Sequence, residues 1–76
     1  MIQIRLQDFK QFRIKSNHSI RSFANYSGLS GTLIQKIEKC EYVNLRSIER
    51  YLITLGRVTG ERYLFIHEPK KTTQKD

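Results

Sequence analysis

The chain has 76 residues, the size of one small domain, and its 38% hydrophobic and 28% charged residues indicate a folded protein rather than a disordered one. The formal net charge of +7 favours anionic partners, nucleic acid first and acidic membrane second. A single cysteine, Cys40, excludes an intrachain disulfide and a cysteine-built zinc site, and no apolar run approaches the roughly 20 residues that span a bilayer. Charged residues near the N-terminus interrupt any signal-peptide pattern, so we expect a cytoplasmic protein with no membrane partner.

Two helices are predicted in the first part of the chain. Residues 1–4 alternate weakly, as in a short strand or a frayed start, and apolar residues three apart then predict a helix over 6–15. Ser19 is suited to cap a second helix over 20–26, because its hydroxyl can accept from a free N–H of the first turn. Gly28 tolerates a positive φ and is expected to end that helix.

Two further helices follow. Ser30 is a second N-cap candidate, for a helix over 31–39 with one apolar stripe toward the core. Asn44 is suited to cap a helix over 45–55, where apolar residues recur at helical spacing. Gly56 is expected to end this fourth helix.

The last segment of the chain differs from the rest in composition. It is rich in aromatic and β-branched residues before Pro69, which predicts a strand within 61–67, whereas 70–76 is polar and is expected to be a flexible tail. The prediction is therefore a mainly α domain over 1–69, with four helices and a C-terminal strand.

The informative motif lies in the second and third helices. Small Ala24 permits a close helix crossing, Gly28 permits a tight turn, and Ile34 and Ile37 fix the second helix of the pair on the core. The full pattern is Ser19-x-x-x-Phe23-Ala24-x-x-x-Gly28-Leu29-Ser30-x-x-x-Ile34-x-x-Ile37-Glu38. It resembles the helix-turn-helix family of lambdoid phage repressors and Cro proteins, which includes antitoxins of toxin–antitoxin operons. The resemblance extends from Phe9 to Gly56.

This resemblance implies a sequence-specific regulator of double-stranded DNA, a homodimeric repressor on a pseudo-palindromic operator. It implies base contacts from the start of the third helix, by Ser30, Thr32, Gln35 and Lys36. It implies phosphate contacts from Ser19, Arg21, Lys39, Tyr42, Asn44 and Arg46. It also implies an ion pair between Arg13 and Glu38, to which we assign a structural role.

Four positions depart from the family pattern. Gly31 replaces a side chain that often reads a base, and Ile20 stands where a polar residue often meets phosphate. His18 replaces a packed apolar residue, and Cys40 stands where glycine usually closes the third helix.

The C-terminal strand is expected to join two subunits. Its exposed edge would be satisfied by a symmetry mate in an antiparallel ribbon built from Tyr63, Leu64, Phe65 and Ile66. The alternative is that the strand folds back onto residues 1–4 of its own subunit.

Other functions fit the sequence less well. It holds no motif for catalysis, a cofactor or a metal, so we expect a protein that is not an enzyme and binds neither. The main alternative function is a protein-interaction module, an antitoxin subunit whose principal role is to dock a toxin partner.

Overall fold

The structure, a computed structural model, describes residues 1–41 and 44–66. These residues form a mainly helical domain with four α-helices, as predicted, and a small two-stranded sheet. The predicted tail over 70–76 lies outside the described residues. The elements in chain order are β1 (Ile2–Ile4), a 3-10 turn (Leu6–Asp8), α1 (Phe9–Lys15), α2 (Ile20–Ser27), α3 (Gly31–Glu38), α4 (Leu45–Thr59) and β2 (Tyr63–Phe65).

Local capping chemistry sets where three of the helices begin. The side-chain oxygens of Ser19, Ser30 and Asn44 accept hydrogen bonds from backbone N–H groups three residues on, at 3.1, 3.1 and 2.8 Å. Gly28 ends α2 with a φ of 78°. These four predictions are confirmed, because each depends on contacts within one helical turn.

The predicted end of α4 is wrong. The helix continues through Gly56 to Thr59, and Gly60, with a φ of 75°, is the residue that ends it. Gly56 has a different role: a Cβ atom at this position would lie 2.8 Å from the backbone oxygen of Glu61. The missing side chain therefore lets the chain that leaves α4 fold back closely over the helix.

Aromatic rings form the centre of the core. The ring of Tyr51 lies between those of Phe9 and Phe23, with centroids 4.8 and 4.6 Å away. The other buried hydrophobic residues pack around them: Ile4, Ile34, Ile37, Ile48 and Leu55. Every α-helix and β1 thus contributes to one core, on which α3 is held by Ile34 and Ile37.

The C-terminal strand pairs within its own chain, the alternative that the sequence left open. β2 runs parallel to β1, with Ile2 opposite Tyr63 and Ile4 opposite Phe65. Tyr63 and Phe65 also turn toward the core, since their rings make edge contacts with those of Phe12 and Phe9.

The intrachain pairing leaves only one edge of β2 for the predicted intersubunit ribbon. One edge of β2 is already satisfied, and among the four proposed dimer residues only Leu64 is exposed, while Tyr63, Phe65 and Ile66 are half-buried. Ribbon pairing through the other edge stays a prediction. His67, at the end of the predicted strand, lies outside the described residues.

Candidate nucleic-acid interface

The first turns of α2 and α3 lie against each other. A Cβ atom at Gly31 would lie 3.5 Å from Cγ2 of Ile20, so the beginning of one helix packs on the beginning of the other. Each N-terminus carries a serine cap, Ser19 or Ser30, whose oxygen accepts a backbone hydrogen bond. Two positive helix ends are therefore adjacent, an arrangement that attracts anions.

This contact accounts for one of the two departures at Gly31 and Ile20. Ile20 is half-buried and covers the first residue of α3, so an apolar side chain suits position 20. A Cβ atom at position 31 would make only an ordinary contact with Ile20, so the glycine there has no steric explanation.

α3 exposes a continuous polar face. Thr32, Gln35, Lys36 and Lys39 follow the spacing i, i+3, i+4 and i+7, and all four are exposed. The opposite face of the helix carries Ile34 and Ile37, which are fully buried. Because the buried face anchors the helix on the core, the polar face projects from a rigid support.

The predicted phosphate-binding residues occupy several elements. Ser19 and Asn44 are exposed caps that use an oxygen internally, which leaves the serine hydroxyl hydrogen and the asparagine amide able to donate. Arg21, Lys39 and Arg46 are exposed on α2, at the C-cap of α3 and on the first turn of α4. Tyr42 lies outside the described residues.

The structure adds polar residues on α2 that the sequence analysis missed. A shallow hollow on this helix is lined by Ser19, Arg21, Ser22, Asn25 and Tyr26. Its lining includes hydroxyl, amide and guanidinium groups, which are able to donate hydrogen bonds to an anionic group. Their spacing along the outer side of α2, away from buried Phe23 and Ser27, was the signal available in the sequence.

A buried ion pair fixes α3 to α1. Arg13 donates to Glu38 from Nε at 2.6 Å and from Nη2 at 3.1 Å, and it donates from Nη1 to the carbonyl of His18 at 2.7 Å. The two side chains are only 6% and 4% exposed. Such a two-pronged geometry compensates two buried charges and fixes the relative orientation of the helices.

Tyr51 completes this network, a role that the sequence analysis did not assign. Its hydroxyl donates to Oε2 of Glu38 at 2.6 Å, on the same oxygen that Arg13 Nε uses. Burial, followed by the hydrogen bond to Glu38, raises the pKa of Tyr51 above its ordinary value. The hydrogen bond to Glu38 likewise raises the pKa of Arg13. Arg13 and Tyr51 therefore keep their protons over the physiological range, and the network acts as a structural support for α3.

The other two departures are His18, which has packing and hydrogen-bonding neighbours, and Cys40, which takes up a conformation that suits glycine better. The His18 ring makes an edge contact with Tyr26 at a centroid distance of 5.1 Å, and its Nδ1 lies 2.8 Å from Oγ of Ser22. Cys40 adopts a φ of 62°, the left-handed conformation for which glycine is the usual residue. The chain thus makes the turn after α3 despite lacking glycine there.

Within the described ranges, no helix has the length and apolar character needed to cross a membrane. Residues 1–41 and 44–66 also contain no group of three or more histidine, cysteine, aspartate or glutamate side chains placed to hold a metal ion. Comparison of the chain with family models, with curated proteins and with solved structures finds no match.

Proposed function

We propose that α2 and α3 form a helix-turn-helix unit and that the protein is a sequence-specific regulator of double-stranded DNA. The observation that carries this proposal is the exposed polar face of α3 opposite its two buried isoleucines. An α-helix fits the major groove, where its polar side chains can meet base edges.

The chemistry of this face suits base recognition. Lys36 can donate to the O6 and N7 atoms of guanine, and Gln35 can pair with adenine. Thr32 offers both a hydroxyl and a methyl group, and Ser30 is exposed at the helix start. The adjacent ends of α2 and α3, with Arg21 nearby in sequence, would bind the phosphates that flank the groove.

The net charge supports the same function. A charge of +7 on 76 residues attracts the DNA backbone and speeds association, although it carries no sequence information. We propose that the protein acts as a dimer on a pseudo-palindromic operator, and that it represses transcription because its bound form excludes other proteins from that DNA.

The proposal is tested by selecting binders from a random duplex DNA pool at about 150 mM salt, which suppresses nonspecific phosphate attraction. We expect a palindromic site with a fixed spacing between half-sites. Failure to enrich any sequence with folded protein would contradict the function.

A matched pair of variants separates base recognition from general charge. Lys36→Ala and Lys10→Ala each remove one exposed lysine, from α3 and α1. We expect Lys36→Ala to weaken binding to the selected site by roughly 5- to 150-fold and to relax the sequence preference. Lys10→Ala should preserve the preference. Equal effects of the two variants would show that α3 does not read bases.

A further inference from the structure

An exposed apolar surface lies in the second half of α4, seven residues after Arg46, the residue of this helix that is assigned to DNA. Ile53 is 59% exposed and Met1 is 78% exposed, and both line one hollow between α4 and β2. Leu52, Gly56 and Tyr63 also line this hollow, and Arg57, Glu61 and Arg62 complete its lining. Large apolar side chains gathered at one hollow are typical of a contact surface rather than of a free one.

Charged residues flank Ile53 symmetrically on α4. Glu49 lies four residues before it and Arg57 four residues after it, so all three share one side of the helix, about 6 Å apart along its axis. All three are exposed. Among the described residues, neither Glu49 nor Arg57 makes a side-chain hydrogen bond or an ion pair.

We propose that a second copy of this chain covers the Glu49–Ile53–Arg57 surface. If two α4 helices cross antiparallel at Ile53, a two-fold axis brings the two isoleucines together. It also places Glu49 of each copy opposite the partner's Arg57. The surface is therefore complementary to itself in charge, with an apolar residue at its centre, as an isologous interface requires. This inference rests on the proposed function, since it names the surface that would join two DNA-binding units.

The same charge order disfavours a partner of uniform charge. An acidic peptide would meet Glu49, and a basic one would meet Arg57, whereas an antiparallel copy pairs both. The competing dimer, an antiparallel ribbon through β2, would use Leu64 instead, so it is an outcome of the same test.

Charge exchange tests the proposal in the full chain. Glu49→Arg makes the Glu49–Ile53–Arg57 surface positive at both ends, and Arg57→Glu makes it negative at both ends. Each variant should dimerise at least about tenfold more weakly than the natural chain, because two attractive pairs become repulsive. An equimolar mixture of the two variants should associate again, and the double variant should dimerise like the natural chain. Sedimentation equilibrium measures the dissociation constants of the natural chain, the two single variants, their mixture and the double variant.

Control variants carry the same charge changes elsewhere. Glu41→Arg and Lys10→Glu alter exposed residues outside α4 and should leave dimerisation within about twofold, as expected for surface changes away from an interface. Thermal melting followed by circular dichroism verifies that every variant is folded.

The proposal is overturned if the natural chain is monomeric, if neither single variant weakens the dimer, or if the mixture fails to associate. Dissociation by Leu64→Asp with no effect of the α4 variants would assign the interface to β2. Duplex selection distinguishes this failure from failure of the proposed function. An unaffected dimer that still selects an operator would refute only the α4 surface. A successful charge exchange without any selected DNA would refute only the DNA function.

Discussion

Two glycine-to-alanine substitutions should change stability in opposite directions. Gly31 and Gly56 both have helical, negative φ values, so alanine gains from helix propensity and from a less flexible unfolded chain at either position, by about 0.5–1 kcal/mol. The new Cβ atom meets different surroundings. At position 31 its nearest neighbour is Cγ2 of Ile20 at 3.5 Å, an ordinary contact, whereas at position 56 it is the backbone oxygen of Glu61 at 2.8 Å.

The clash at position 56 cannot be relieved cheaply. The next residue, Arg62, accepts a 2.8 Å hydrogen bond from the backbone of Ile2, so retreat of the Glu61 carbonyl would disturb the β1–β2 pairing. Overpacking of this kind costs about 1–3 kcal/mol, which exceeds the propensity gain. We expect Gly56→Ala to lose about 1–2 kcal/mol and Gly31→Ala to gain about 0.5–1 kcal/mol.

Urea unfolding followed by far-ultraviolet circular dichroism measures both changes. For a domain of this size, each kcal/mol corresponds to a shift of roughly 4–8 °C in Tm, so thermal melting should order the proteins as Gly31→Ala, natural chain, Gly56→Ala. If Gly56→Ala is at least as stable as Gly31→Ala, the close approach of Glu61 to α4 is not a constraint and the reasoning is refuted.

Three further predictions concern the ion-pair network and the turn after α3. Glu38→Ala leaves the Arg13 guanidinium buried without its carboxylate, so it should lower the free energy of unfolding by about 3–5 kcal/mol. Glu41→Ala removes an exposed carboxylate and should change the free energy of unfolding by less than about 0.5 kcal/mol. Similar urea midpoints for the two variants would contradict this prediction. Because the pKa of Tyr51 is raised in the folded state, the folded protein keeps the Tyr51 proton above pH 10, whereas the unfolded chain loses that proton. The contribution of Tyr51 to stability is therefore complete below pH 10, and above pH 10 it falls by up to about 1.4 kcal/mol per pH unit. The stability of Tyr51→Phe should therefore decline less steeply than that of the natural chain between pH 10 and 11.5, and parallel curves would argue against a buried phenol. Cys40→Gly should raise stability by about 1 kcal/mol by relieving the left-handed conformation, while Cys40→Ala, which retains a Cβ atom, should not; equal gains would point to the thiol instead of the backbone.

The polar face of α3 could be recognised before the structure because helical periodicity separates its exposed side chains from Ile34 and Ile37. The same periodicity could have grouped Ser22, Asn25 and Tyr26, since they share the outer side of α2; only the structure shows that they line one hollow with Ser19. The implied pairing of Arg13 with Glu38 is present in the structure. Tyr51 is the third residue of this network, and its position in the sequence did not indicate that role, because it follows the ordinary spacing of a buried helical residue.

What the sequence alone determined is what depends on neighbouring residues. The caps at Ser19, Ser30 and Asn44 and the turn at Gly28 involve contacts a few residues apart, so residue type and spacing were sufficient to predict them. The partner of β2 and the true role of Gly56 were decided only by tertiary structure. β1 and β2 lie at opposite ends of the described chain, and Gly56 serves a chain crossing that exists only once α4 is packed. Local preference cannot specify such contacts, because their free energy comes from burial against residues that are distant in sequence.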